Sequence, residues 1–151
     1  MKTDPIPKGY HSVTPSLTVK GAHKLIGFFQ QAFGAKVLHQ MLCSDGSVMH
    51  ASLKIGDSIM MLGEAGGQCK PTTASLYLYV KDADATYRRA IQAGAVSQME
   101  PTDQFWGDRS GVLTDPAGNQ WWIATHVEDV SMEEIEKRGQ AWMRDQERKA
   151  A

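Results

Sequence analysis

"SLTVKGAHKLIGFFQQAFGAKV", residues 16–37, decides the fold, because its grammar returns in "LYLYVKDADATYRRAIQAGAVS", residues 76–97. Each copy reads strand, helix, then Gly-Ala. Leu17 and Val19 alternate as a strand and match Leu78 and Val80, and each strand breaks at Lys-Gly or Lys-Asp into a helical pattern. The first helix sets Ala22, Leu25, Ile26, Phe29 and Phe33 on one face, and the second sets Ala83, Tyr87, Ala90 and Ile91 on one face. Gly34 and Gly94 stand where a left-handed residue would end each helix.

Beyond those glycines the parallel continues as strands and tight turns. "KVLHQMLC", "VMHASLKI" and "SIMMLGE" follow in the first copy, and "VSQMEP", a loop "TDQFWGDR", "SGVLTD" and, after "PAGN", "QWWIATH" follow in the second. The pattern is βαβββ twice. Two copies are fewer than the roughly three that a solenoid needs, so two units with one apolar helix face each must close on one another. The expected fold is therefore α+β, one pseudo-twofold domain of two curved sheets. Its parts are an N-terminal extension (1–12), a first module (13–64), a Gly- and Pro-containing linker (65–72), a second module (73–126) and a C-terminal helix (127–151).

The 151 residues carry 16 basic and 17 acidic side chains, a formal net charge of -1, so no basic stripe is expected for nucleic acid. No stretch approaches the roughly 20 apolar residues that span a bilayer, and "MKTDPIPKGYHSV" lacks a signal-peptide core. The expectation is a cytoplasmic protein without a membrane partner. Cys43 and Cys69 are too few and too far apart for a disulfide framework or a metal knuckle.

The ordered strings "TPSLTVKGAHKLIGFFQQAFGA", "MHASLKIGDSIMML", "DQFWGDRSGVLTDP" and "WWIATHVEDVSMEE" give a further indication. Over residues 12–126 the chain resembles the vicinal-oxygen-chelate superfamily of glyoxalase I, extradiol dioxygenases and bleomycin-resistance proteins, and more narrowly its PhnB-like branch. In metal-dependent members, His, Gln or Glu from the first and last strand of each module bind an ion in a groove. The resemblance carries those positions onto Thr14, Met60, Ser75 and Trp122. Divalent zinc, nickel, iron and manganese favour imidazole, thiolate or carboxylate, and an indole N–H has no free lone pair. No metal and no other cofactor is expected. The same fold hosts isomerases, dioxygenases, thiol transferases and binding proteins, so activity has to be read from the site.

Strand alternation sorts the remaining side chains. Leu17, Val19, Leu76, Leu78, Val80, Ile59, Met61, Trp121 and Ile123 are expected to face the helices. The groove is left to Thr14, Ser16, His50, Ser52, Met60, Leu62, Ser75, Tyr77, Tyr79, Trp122, Ala124 and His126, with Phe105, Trp106, Asp108 and Arg109 at its rim. Tyr77, Tyr79, Trp106 and Trp122 suit a planar or cationic guest, with Met60 beside them and Asp108 or Arg109 supplying a charge of either sign. Equally, Asp108 and Arg109 can pair with each other, and the tyrosines can serve an interface. His50, Asp108 and His126 are the candidates for acid–base chemistry beside a carbonyl. Convergence of His39, His50 and His126 would open another route to a metal.

After "HVEDV", Ser131 and Glu134 form a capping box, and Met132, Ile135, Gly139, Trp142 and Met143 form one stripe. That stripe packs on its own sheet or on a partner chain, and the resemblance implies a homodimer with sites near the interface. The leading expectation is a metal-free protein that holds a small organic ligand in an aromatic groove. Its rivals are a glyoxalase-type lyase, isomerase or dioxygenase with a metal on non-standard ligands, and a dimeric regulatory protein without a ligand.

Overall fold

Short alternating strands ended by Gly turns, and helices with a single apolar face, dictate the element order of the computed structural model, which describes residues 3–151. The first module runs β1 (Ser16–Val19), α1 (Ala22–Phe33), β2 (Lys36–Leu42), β3 (Val48–Ile55) and β4 (Ser58–Glu64). The second runs β5 (Ser75–Tyr79), α2 (Ala83–Gln92), β6 (Val96–Asp103), β7 (Asp108–Thr114) and β8 (Gln120–His126), and α3 (Met132–Ala150) follows. Each module forms one four-stranded sheet, in the orders β1-β4-β3-β2 and β5-β8-β7-β6. In both sheets the first strand lies parallel to the last and the other pairings are antiparallel. This is the duplicated α+β architecture that the repeat requires.

One core serves both modules. Leu25, Ile26, Phe28, Phe29 and Ala32 of α1 join Leu17, Val19, Leu53 and Leu62 of the first sheet and Trp121 and Ile123 of the second. Phe29 and Phe33 approach Trp121 with ring centroids 5.3 and 4.9 Å apart, so the first helix grips the second sheet. Such aromatic contacts add about 0.5–1.5 kcal/mol each beyond their area burial. Helix starts are fixed by side chains: Glu64, at the end of β4, accepts the N–H groups of Gly21 and Ala22 at 2.9 and 2.7 Å. Those two donors hold its carboxyl below the usual carboxylate range. Asp82 caps α2 through Ala85, and Ser131 caps α3 through Glu134, the first half of the expected capping box.

The strand phase differs from expectation in β4. Met60 is 5% exposed and belongs to the core, opposite Leu53, and Leu62 stands beside Leu17 on the same face. Met61 instead pairs with Ser16 and Ser52 on the outer face. The reason lies in the turns: Gly56 opens a two-residue hairpin, whereas Gly118 is fourth of the five residues joining β7 to β8. Equal counts from the two glycines therefore land on opposite faces, and Met61, not Met60, corresponds to Trp122. Met60 lines a small cavity of about 130 Å³ between the modules with Ile55, Leu76, Tyr77 and Trp121.

Candidate functional site

The second sheet turns Trp121 and Ile123 inward and Trp122 outward, so the adjacent tryptophans divide between core and groove face. Core Trp121 donates its indole N–H to Asp115 at 2.9 Å. On the outer face Trp122 lies beside Tyr77, centroids 5.7 Å apart and ring planes 13° from parallel, while Tyr79 adjoins Tyr77 at 5.1 Å and Trp106 adjoins Trp122 at 6.2 Å. Tyr77 and Tyr79 are 41% and 61% exposed, a continuous aromatic surface open to a guest.

Beneath that surface sits Asp108. Sequence placed it in a rim loop, but β7 begins at this residue and buries it to 1% exposure. Its Oδ2 accepts from Tyr77 Oη at 2.7 Å, Tyr79 Oη at 2.8 Å and Trp106 Nε1 at 3.1 Å, and its Oδ1 lies 2.9 Å from His126 Nδ1. Burial alone would raise its pKa, but the bonds from His126, Tyr77, Tyr79 and Trp106 outweigh it and hold the carboxyl below its ordinary value. The effect on the partners is opposite. Burial and then the bond to Asp108 push Tyr77 up to about 12, and the bond to Asp108 followed by burial raises Tyr79. His126 is raised by Asp108 and by Asp129, whose Oδ1 lies 2.8 Å from Nε2. Ser110 Oγ is buried in the same row without an aligned hydrogen-bond partner among the described residues.

The rim is tied to α3. Residues 104–107 form the loop, in which Phe105 meets Gly139 and Trp142 while Trp106 reaches Asp108. Arg138 binds Glu128 at 3.0 Å, Glu134 at 3.0 Å and the Phe105 carbonyl at 3.4 Å. Gly139 is buried, so part of the apolar stripe packs on its own chain, whereas Met132, Trp142 and Met143 are exposed. A cleft of about 820 Å³ begins beside Tyr79 and His126 and runs toward Lys81 and Arg89.

Several expected site residues lie elsewhere. Arg109 points to the opposite face, where its guanidinium bonds Asp84 of α2 at 2.7 and 2.9 Å and Asp103 at 3.2 Å. It pairs with neither Asp108 nor a guest in the aromatic face, because adjacent strand residues point to opposite sides. His50 belongs to the first sheet, where it bonds Ser52 at 3.1 Å and neighbours His39 at 6.4 Å between ring centroids. Tyr10 of the N-terminal extension also bonds Ser52, covering that outer face. His126 stands on the second sheet, and among the described residues no group of three His, Cys, Asp or Glu is arranged to hold a metal ion. Sequence reasoning missed Asp129 and the convergence of both tyrosines on Asp108. Only the shared alternation of Tyr77, Tyr79, Trp122 and His126 pointed toward it.

The residues at the positions onto which the resemblance carries the family's metal ligands do not fit an ion. Thr14 gives its hydroxyl to the His11 carbonyl at 3.3 Å, Ser75 bonds Gln120 at 3.1 Å, and the remaining places hold Met61 and Trp122. Neutral hydroxyls, a thioether and an indole make a poor donor set for a divalent cation.

Comparison with known proteins agrees with the fold. The family model of the Glyoxalase/Bleomycin resistance protein/Dioxygenase superfamily matches residues 10–123. An uncharacterized protein of Mycobacterium bovis is 35% identical over 136 residues, covering 83% of this chain and 90% of that protein. TioX from Micromonospora sp. ML1 superposes with a TM-score of 0.67 at 23% identity, covering 78% of this chain and 99% of that one. A glyoxalase/bleomycin resistance protein/dioxygenase family enzyme from Burkholderia phytofirmans superposes with a TM-score of 0.57 at 19% identity, covering 74% and 95%. The chain belongs to the Glyoxalase/Bleomycin resistance protein/Dioxygenase superfamily.

Proposed function

We propose that this protein is a metal-free binder of a small organic molecule, of the PhnB-like and bleomycin-resistance kind, and that the ligand lies on the outer face of the second sheet. The observation that carries the reading is the Tyr77–Trp122 stack, flanked by Tyr79 and Trp106 and anchored from below by Asp108. A rigid aromatic wall with few polar groups is the ordinary makeup of a small-molecule site. Tethering by Asp108 fixes the rings in advance, which lowers the entropic cost of binding. Tyr77, Tyr79, Trp106 and Trp122 are the contact residues.

A second reading is acid–base catalysis through His126, favoured by its link to buried Asp108. Both ring nitrogens of His126 already face carboxylates, so it must release Asp129 before it can act on a substrate. Binding is the simpler use of the geometry. We further propose a homodimer, supported by the exposed Trp142 and Met143 on α3.

The test is metal content by plasma mass spectrometry on protein purified without chelator or nickel resin, followed by recovery of bound ligand. The expected result is metal far below one ion per chain and ligand recovered unchanged. About one tightly held metal per chain, or a ligand recovered as a converted product, would overturn the reading.

A further inference from the structure

We infer that the aromatic face selects a cationic ligand bearing N–H donors on a flat ring, such as an aromatic amidinium, guanidinium or protonated amine, over neutral or anionic guests. The inference rests on the small-molecule reading above and adds the sign of the guest's charge.

It follows from where the hydrogens of the site are spent. Tyr77, Tyr79 and Trp106 donate inward to one oxygen of Asp108, and His126 faces the other. A phenol that donates its hydrogen keeps only oxygen lone pairs for its outer side. Tyr77 Oη already accepts the Trp106 indole N–H at 3.3 Å, so Tyr79 is the phenol that offers a guest an acceptor, and donation to a carboxylate strengthens it through polarisation. The indole of Trp122 has no hydrogen-bond partner among the described residues, so a guest meets one neutral donor, the Tyr79 acceptor and several ring faces, with the Asp108 carboxylate beneath them. Ser110 lies beneath the rings, fully buried, and cannot reach a guest.

The charges point the same way. Asp108 and Asp129 flank a single His126, so the cluster is net negative in either state of the histidine. Arg109 is the one Lys or Arg in β5 to β8, and it is engaged by Asp84 and Asp103 on the opposite face. Arg138 on α3 is held by Glu128 and Glu134. Lys81 and Arg89 line the neighbouring cleft that begins beside Tyr79, outside the Tyr77–Trp122 face. Aromatic faces add attraction for a cation, and the buried carboxylate acts through a medium far less polarisable than water.

Three probes of nearly one shape separate the possibilities: benzamidinium, methyl benzoate and benzoate, titrated into the full chain while the indole N–H resonances of Trp106 and Trp122 are followed by NMR. Benzamidinium is expected to bind about tenfold or more tighter than methyl benzoate, with benzoate weakest, in keeping with the cation–π range. Tyr79→Phe removes an exposed acceptor while keeping the ring, and is expected to weaken benzamidinium about threefold while leaving methyl benzoate unchanged. Asp108→Asn is expected to abolish the preference, and Tyr79→Phe keeps the inference testable where the Asp108 variant does not fold. If benzoate or methyl benzoate binds as tightly as benzamidinium, or Tyr79→Phe leaves benzamidinium unaffected, the charge inference is overturned while the binding site stands. If no probe moves either resonance, the small-molecule reading falls with it.

Discussion

Asp108 organises the outer face because a buried carboxylate must have its lone pairs met, and the side chains that meet them come from β5, the 104–107 loop and β8. Asp108→Ala should lower stability by about 2–3 kcal/mol in urea unfolding, as lost bonds to a charged group imply. Its pH signature has a definite sign. The Asp108 carboxyl is held below its ordinary value, so its contribution is present above about pH 4 and is lost as pH falls through the folded pKa. His126 is raised, so its contribution is complete below about pH 6.5 and is lost as pH rises through the folded value. Thermal melts should therefore show a decline above pH 6.5 that His126→Gln removes. A second residue-scale test concerns strand phase: Met60→Gln places an amide in the core and should cost about 2 kcal/mol or more, whereas Met61→Gln on the outer face should cost much less. Equal costs would contradict the register.

Within the elements, the tight positions are glycines that the sheets and α3 press against. A Cβ at Gly111 would meet the Tyr87 ring at 2.8 Å and the Met99 carbonyl at 3.0 Å, so Gly111→Ala should destabilise the seat of α2 on β7 by roughly 1–3 kcal/mol. At Gly107, φ is +103° and a Cβ would come against the Glu128 carbonyl. Gly107→Ala should therefore displace the Trp106 loop from Asp108, read as a changed Trp106 indole resonance. The strand and helix elements were legible because alternation and one-sided helices are local signals. Arg109 shows where local signals stop: its neighbour Asp108 marks the groove, but its partners Asp84 and Asp103 are brought to it by α2 and β6 only after folding. The β4 phase differs from the alternation for a related reason, since a turn glycine marks a bend without stating how many residues the bend consumes.

At the scale of the whole molecule, the duplication was readable from the repeated grammar, and the family followed from the ordered motifs. The site was only half readable. Alternation gathered Tyr77, Tyr79, Trp122 and His126, but the knot on Asp108 and the link to Asp129 depend on strand pairing and on the course of the chain into α3. The exposed Trp142 and Met143 make α3 the element to test for self-association. Trp142→Ala should shift a sedimenting dimer toward monomer, and an unchanged sedimentation profile would place any interface elsewhere. The proposed binding site is the aromatic face of the second sheet. It is tested most directly by following the four tryptophan indole N–H resonances of the protein during a screen of flat aromatic compounds. Ligand-dependent shifts are expected at Trp106 and Trp122, with Trp121, held by Asp115 in the core, and Trp142 on α3 unmoved. Shifts confined to Trp142, or four resonances that never respond, would contradict it.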